Sequence, residues 1–183
     1  LSNRKSEEIL CGVDLGGTKI AVALVPADGS ILRYAEIRNH RELPEDEVVT
    51  RIADAIRELT ADSGLRLNDL AGVGVGTSGH VDHSRGVVIT NSNLPGFTNY
   101  PLGDRLRAAI GLEVSVDNDA NAQAYAEHLF GSGRGFDTMV FVTVSTGIGA
   151  GIIIDGRVYH GVTGTAGEIG HTIVNPESPF RCG

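Results

Sequence analysis

Apolar, β-branched runs set off by polar and turn residues, "ILCGVDLGG", "TKIAVALVPADG" and "SILRYAEIRN", predict three β-strands. The turn residues of "ADGS" mark a hairpin, so the strands are read as antiparallel. From Pro44 to Ser63 the pattern changes. Val48, Val49, Ile52, Ala53, Ile56 and Leu59 recur at helical spacing, Pro44 with Glu45, Asp46 and Glu47 suits a helix start, and Gly64 suits its stop. "AGVGVGTSG" then predicts a buried strand running into a Gly-rich loop, "GVVITNSNLPG" a strand and loop, "LGDRLRAAIG" a short helix, and "LEVSVDND" another strand. "DANAQAYAEHLFG" predicts a helix that Asp119 is placed to cap. "TMVFVTVSTG" and "AGIIIDGRVYHG" predict two strands joined by glycines.

The order β-β-β-α-β-α-β-α, then β-β, is an α/β layering in which helices cover a mixed sheet. The second β-β unit, residues 140 to 154, has its own Gly turn and echoes residues 10 to 25, which hints at a duplicated lobe.

Composition narrows the function classes. Across 183 residues, 41% are hydrophobic and 21% charged, with no apolar run long enough to span a bilayer, so a globular chain is expected, not a membrane protein. The opening "LSNRKSEEIL" has neither the apolar region nor the cleavage site of a signal peptide, and a cytoplasmic location is the expectation. Only two cysteines, Cys11 and Cys182, argue against a disulfide framework. A formal net charge of −8 without a Lys/Arg stripe argues against a nucleic-acid partner.

The 25 glycines fall in discrete clusters beside strands, as ligand loops do. Gly16 and Gly17 permit positive φ and present bare N–H groups to an anion, Asp14 is placed to hold Mg²⁺ directly or through water, and Thr18 to donate to a phosphate oxygen. An ordinary tight hairpin with Asp14 as its turn carboxylate is an equal reading of this loop alone. Two other phosphate motifs are set aside. A P-loop needs Gly-Lys-Ser/Thr before a helix, whereas Thr18-Lys19 precedes a strand, and "GVGTSG" lacks the helix that a dinucleotide fingerprint requires. "TVSTGIGAGII" repeats the first loop's pattern with Thr146, Gly147, Gly149 and Gly151, and two such hairpins facing each other would clamp a polyphosphate.

Four stretches in order, "DLGGTK" at 14 to 19, "VDNDAN" at 116 to 121, "STGIGAGI" at 145 to 152 and "HGVTGTAGEIGH" at 160 to 171, resemble the sugar kinases of the ROK (repressor, open reading frame, kinase) family. That family belongs to the actin, hexokinase and Hsp70 ATPase superfamily. The resemblance implies an actin-like ATPase (ribonuclease H-like) lobe with a mixed five-stranded sheet over residues 1 to 117, and the beginning of a second similar lobe over 118 to 183. It also implies phosphorylation of a hexose by Mg²⁺-ATP, glucose ranking ahead of N-acetylmannosamine, N-acetylglucosamine and fructose.

Residue roles follow where positions match. Asp119 matches the aspartate that acts as general base on the sugar hydroxyl, as phosphoryl transfer requires. Asn118, Glu168 and His171 match sugar-binding residues, and Gly79, His80 and Ser92 occupy sugar-loop positions. Asp14, Gly16, Gly17, Thr18, Lys19, Thr146, Gly147 and Gly149 fall to Mg²⁺-ATP, with Lys19 read equally as a solvated strand-end lysine. Asp117 is read as structural. His171 is also a zinc ligand in the family, and Cys182 matches the first cysteine of its zinc motif.

The chain departs from the family at Ser78 and His80, where prolines are usual, and at Phe97, where Trp is common. It stops at "RCG", before the remaining zinc cysteines and a later sugar-binding glutamate, so the resemblance implies a C-terminally truncated chain with an incomplete zinc site. A homodimer is implied by family likeness. Two alternatives stay open: the sugar-sensing domain of a ROK-type transcriptional regulator, and an inactive sugar-binding fragment.

Overall fold

The computed structural model describes residues 8–145 and 147–179, divided between two compact units, Leu1–Asp119 and Ala120–Gly183. In the first, β1 (Ile9–Leu15), β2 (Lys19–Pro26), β3 (Arg33–Arg38), β4 (Leu70–Thr77) and β7 (Val114–Asn118) form one sheet in the order β3-β2-β1-β4-β7. β1 and β2, and β2 and β3, pair antiparallel, while β1 and β4, and β4 and β7, pair parallel, so the sheet is mixed, as expected. Between β4 and β7 come the hairpin of β5 (His80–Asp82) and β6 (Val87–Thr90), then α2 (Leu102–Ile110).

Strand alternation decides which face is covered. Cys11, Val13 and Leu15 of β1 point to the same side as Ile20, Val22 and Leu24 of β2, Val73 and Val75 of β4, and Val114 and Val116 of β7. All are buried with the apolar stripe of α1 (Glu45–Asp62), which contributes Val48, Ile52, Ile56 and Leu59, and with Leu102, Leu106 and Ile110 of α2. Full burial of each such side chain contributes about 1.5–3 kcal/mol. The intervening positions of β1, Leu10, Gly12 and Asp14, turn to the other face, which sets Asp14 apart from the core.

α1 starts after Pro44, whose carbonyl takes the first helical N–H bonds from Glu47 and Val48, and stops before Gly64 at φ 74°. The expected strand from Ser30 begins only at Arg33. Asp28 Oδ1 accepts bonds from both the N–H and the hydroxyl of Ser30, so the turn is an Asx turn that extends the loop. After β4 the chain enters β5 and not a helix, in accord with setting aside the dinucleotide fingerprint.

In the second unit, β8 (Met139–Val144), β9 (Ile148–Ile154) and β10 (Arg157–Val158) form an antiparallel sheet ordered β10-β9-β8, repeating the β3-β2-β1 order of the first. "AGIIIDGRVYHG", expected as one strand, is two. Asp155 (φ 51°) and Gly156 (φ 71°) both adopt the left-handed conformation of an Asp-Gly hairpin turn. α3 (Asp119–Phe130) lies close on β9: a Cβ at Gly151 would collide with that of Ala124 and stand 2.6 Å from the Ala120 carbonyl.

Candidate functional site

In the first unit the candidate residues collect at the C-terminal ends of the parallel strands, where open α/β sheets hold ligands. Register sets two rows. Asp14, Gly76 and Asp117 stand opposite one another on β1, β4 and β7, and Leu15, Thr77 and Asn118 form the next row. Gly76 puts no side chain between the two aspartates. β7 passes into α3 without a loop, so Asp119, expected to cap the helix, is its first residue.

The turn between β1 and β2 carries Gly16, Gly17 and Thr18. The Gly16 N–H donates to the Lys19 carbonyl (3.0 Å), the Thr18 carbonyl accepts the Asn39 N–H (2.8 Å), and the Thr18 residue is exposed. Gly17 needs its hydrogen, since a Cβ would approach the Asn93 carbonyl oxygen to 2.8 Å. Lys19 is turned aside: Nζ pairs with Glu36 Oε2 at 3.0 Å, and the same carboxylate accepts the Tyr34 hydroxyl at 2.9 Å. Part of Asp14 reaches solvent, yet the surrounding protein, and then the Asp119 charge, hold its carboxyl above the usual range, with Lys19 opposing. Loss of water is thus the main cause, and the carboxylates of Asp14 and Asp119 stand close enough for their charges to act on one another.

Gly79 follows β4 at φ 90°, where a Cβ would collide with the Thr90 carbonyl, and Asn118 Nδ2 donates to the Gly79 carbonyl (3.0 Å). His80 opens β5 and is half-buried. Ser92 is exposed, and its carbonyl accepts from Arg41 Nη2 at 3.4 Å. The residue that organises this loop is Asn91, which the sequence reading passed over. Its Oδ1 accepts from Ser78 Oγ (3.0 Å), Asn93 N (2.9 Å) and Leu94 N (3.1 Å), and its Nδ2 donates to Thr77 Oγ1 (3.1 Å), which itself donates to the Leu15 carbonyl (3.1 Å). Asn39 was passed over too. The available signal was the turn chemistry of Asn in "TNSNLPG" and after a strand in "RNH".

In the second unit the β8–β9 turn is closed by the Ser145 N–H donating to the Gly147 carbonyl (2.9 Å), and a Cβ on Gly147 would meet nothing within 4 Å. Thr146 lies outside the described residues. Gly149 sits in β9. The "GEIGH" segment forms a short 3₁₀ turn, Ile169–His171, laid directly on β9: Cβ atoms at Gly167 and Gly170 would collide with the carbonyls of Ala150 and Ile148. That contact seats the backbone of the turn on β9, and Glu168 Oε2 and His171 Nε2 stand 3.6 Å apart on it. Cys182 lies outside the described residues, and among the described residues no group of three or more His, Cys, Asp or Glu could hold a metal ion.

A mixed five-stranded sheet ordered β3-β2-β1-β4-β7, with a glycine turn at its first hairpin and a second unit repeating the three-strand order, is the architecture of an actin-like ATPase lobe. The chain belongs to the ROK family, whose sequence profile matches residues 10–183. It is 39% identical over 175 residues to the glucokinase of Thermotoga maritima, covering 95% of this chain and 54% of that protein. The ROK family glucokinase of Streptomyces griseus, solved with glucose and AMPPNP, superposes with a TM-score of 0.81 at 36% identity, over 93% of this chain and 52% of that one. A ROK family transcriptional regulator, homologue of the E. coli MLC protein, superposes with a TM-score of 0.82 at 31% identity, over 97% of this chain and 44% of that one. The chain spans about half the length of the curated relatives it matches. Among the described residues, no helix is long and apolar enough to cross a membrane.

Proposed function

We propose that this chain carries the phosphoryl-transfer residues of an ATP-dependent hexose kinase, with glucose as first acceptor and Asp119 as general base. The observation that carries the reading is the grouping at the strand ends of the first unit. Asp119 follows directly on β7, its charge acts on Asp14, and Asn118, beside it, is bonded to Gly79 of the sugar loop.

The residues suit Mg²⁺-ATP. Gly17 and Thr18 offer a bare backbone and a hydroxyl to phosphate oxygens, and the carboxyl of Asp14, pushed up by burial and then by the Asp119 charge, is one that a bound cation would return to its charged form. When bound, the cation neutralises charge developing on the transferred phosphoryl group. Asp119 accepts the proton of the attacking sugar hydroxyl, and Asn118, Glu168 and His171 hold sugar hydroxyls. Zinc is not supported in the same way, since among the described residues no group of three or more His, Cys, Asp or Glu could hold a metal ion. A homodimer in the cytoplasm completes the reading, and light scattering tests the dimer.

The test is ADP release by the 183-residue chain with Mg²⁺-ATP across a hexose panel, with Asp119→Asn as control. Asp119-dependent turnover on one sugar is expected to name the acceptor, and an Asp119→Asn variant with near-normal turnover refutes the base assignment. A second reading, a sugar-sensing domain, is favoured by the likeness to the regulator structure. Sugar binding without ADP release would select it.

A further inference from the structure

Asn39, immediately after β3, is 3% exposed and touches the first glycine turn twice. Its backbone N–H donates to the Thr18 carbonyl (2.8 Å), and its side-chain Nδ2 donates to the Gly16 carbonyl (2.7 Å). In a trans peptide the carbonyl and the following N–H point in opposite directions, and the described residues contain no cis bond. Drawing the Gly16 carbonyl toward Asn39 therefore turns the Gly17 N–H away from it. On the side where a Cβ would stand, Gly17 is packed against the Asn93 carbonyl.

The remaining polar atom of Asn39 is telling. Its Oδ1 is buried and makes no hydrogen bond among the described residues. A buried carbonyl left unpaired costs stability, so an apolar side chain of the same shape would serve packing better. What asparagine supplies and leucine lacks is the donor to Gly16.

We propose that Asn39 is a positioning residue for the phosphate turn. By pinning the Gly16 and Thr18 carbonyls behind the turn, it keeps the Gly17 N–H and the exposed Thr18 side chain directed to an incoming phosphate. This rests on the reading of residues 16–18 as a nucleotide phosphate site given above.

The experiment titrates Mg²⁺-ATP, inorganic tripolyphosphate and, separately, glucose into the full chain by calorimetry, beside thermal unfolding. Asn39→Leu removes the donor and the unpaired acceptor together. It is expected to weaken both phosphate probes about tenfold, the effect of one hydrogen bond, with glucose affinity within about twofold and Tm close to wild type, because the Gly16 carbonyl loses its donor as the unpaired Oδ1 is removed. Asn39→Asp keeps the size but cannot donate while ionised. Its phosphate affinity, taken as a ratio to wild type at each pH, is expected to return toward one as pH falls and the carboxyl regains a proton to donate. Wild-type phosphate affinity in both variants overturns the role of Asn39 and leaves the kinase reading standing. Failure of the wild-type chain to bind either phosphate probe overturns both. Equal loss of phosphate and glucose affinity, or unfolding of both variants, reduces Asn39 to a structural residue and overturns the proposal.

Discussion

Asn91 is the most informative residue to perturb in the first unit, because one buried amide satisfies four partners. Asn91 is 5% exposed, Leu94 2% and Thr77 0%. In Asn91→Ala the Leu94 N–H loses its acceptor where water has no access, and Thr77 Oγ1 loses its donor, though it keeps its own bond to the Leu15 carbonyl. Ser78 and Asn93 lose the same acceptor but stand near enough to solvent to recover most of it. Each buried group left unsatisfied costs about 1–3 kcal/mol, so the truncation is expected to destabilise the unit by about 3 kcal/mol. Asn91→Asp gives a sharper contrast. Three of the four bonds run to Oδ1, and those three donors favour a carboxylate, so only the donation to Thr77 is lost. Asp is therefore expected to cost about 1 kcal/mol, less than Ala. The chain contains no Trp, so urea unfolding is best followed by far-UV ellipticity, with amide exchange on β4 assigning the loss to the first unit. A truncation within about 0.5 kcal/mol of wild type, or an Asp variant less stable than the Ala variant, would refute the accounting.

Gly170→Ala must lift the 3₁₀ turn off the Ile148 carbonyl, and a loss of about 2 kcal/mol with faster amide exchange in β9 is expected; an unchanged Tm refutes the contact. The folded-state pKa of Asp14 is raised, by burial and then by the Asp119 charge, so its stabilising contribution is complete below the unfolded pKa and lost as pH rises through the folded one. Asp14→Asn is accordingly expected to raise Tm at pH 7 while lowering phosphoryl transfer, and a lower Tm refutes the sign. Burial pushes the Cys11 thiol from 9.0 up to about 12, so peptide mapping after iodoacetamide at pH 8 should find Cys11 unmodified until the chain is unfolded. The contribution of that thiol to stability is retained below pH 9 and lost as pH climbs toward 12.

How much of this was legible in the sequence depended on whether a residue's role is written in its neighbours along the chain. The hydrophobic period located α1 to within a residue at each end, since Pro44, the acidic first turn and Gly64 are local signals. The runs that became β1 and β2 were also legible, but that Asp14 faces away from the core emerged only from the strand pairing. Asp155-Gly156 was equally local, but the apolar residues on both sides masked it and the turn was read through. Two features were not local. Lys19 looked free beside the glycine turn, and only the β2–β3 register brings Glu36 across to occupy it. Asn39 and Asn91 lie 23 and 14 residues from the groups they hold, Gly16 and Thr77, so no window along the chain could pair them. What the glycine loops presented to a reader was bare backbone. What holds the first of those turns is a buried amide at the end of β3, while the one at the end of β6 holds the loop after β4, and the difference matters for function: glycines allow a turn to bind phosphate, but on our proposal a fixed donor behind the turn decides which way its N–H groups face. A ROK chain that kept every glycine and lost Asn39 should therefore fold as this one does and bind phosphate less well.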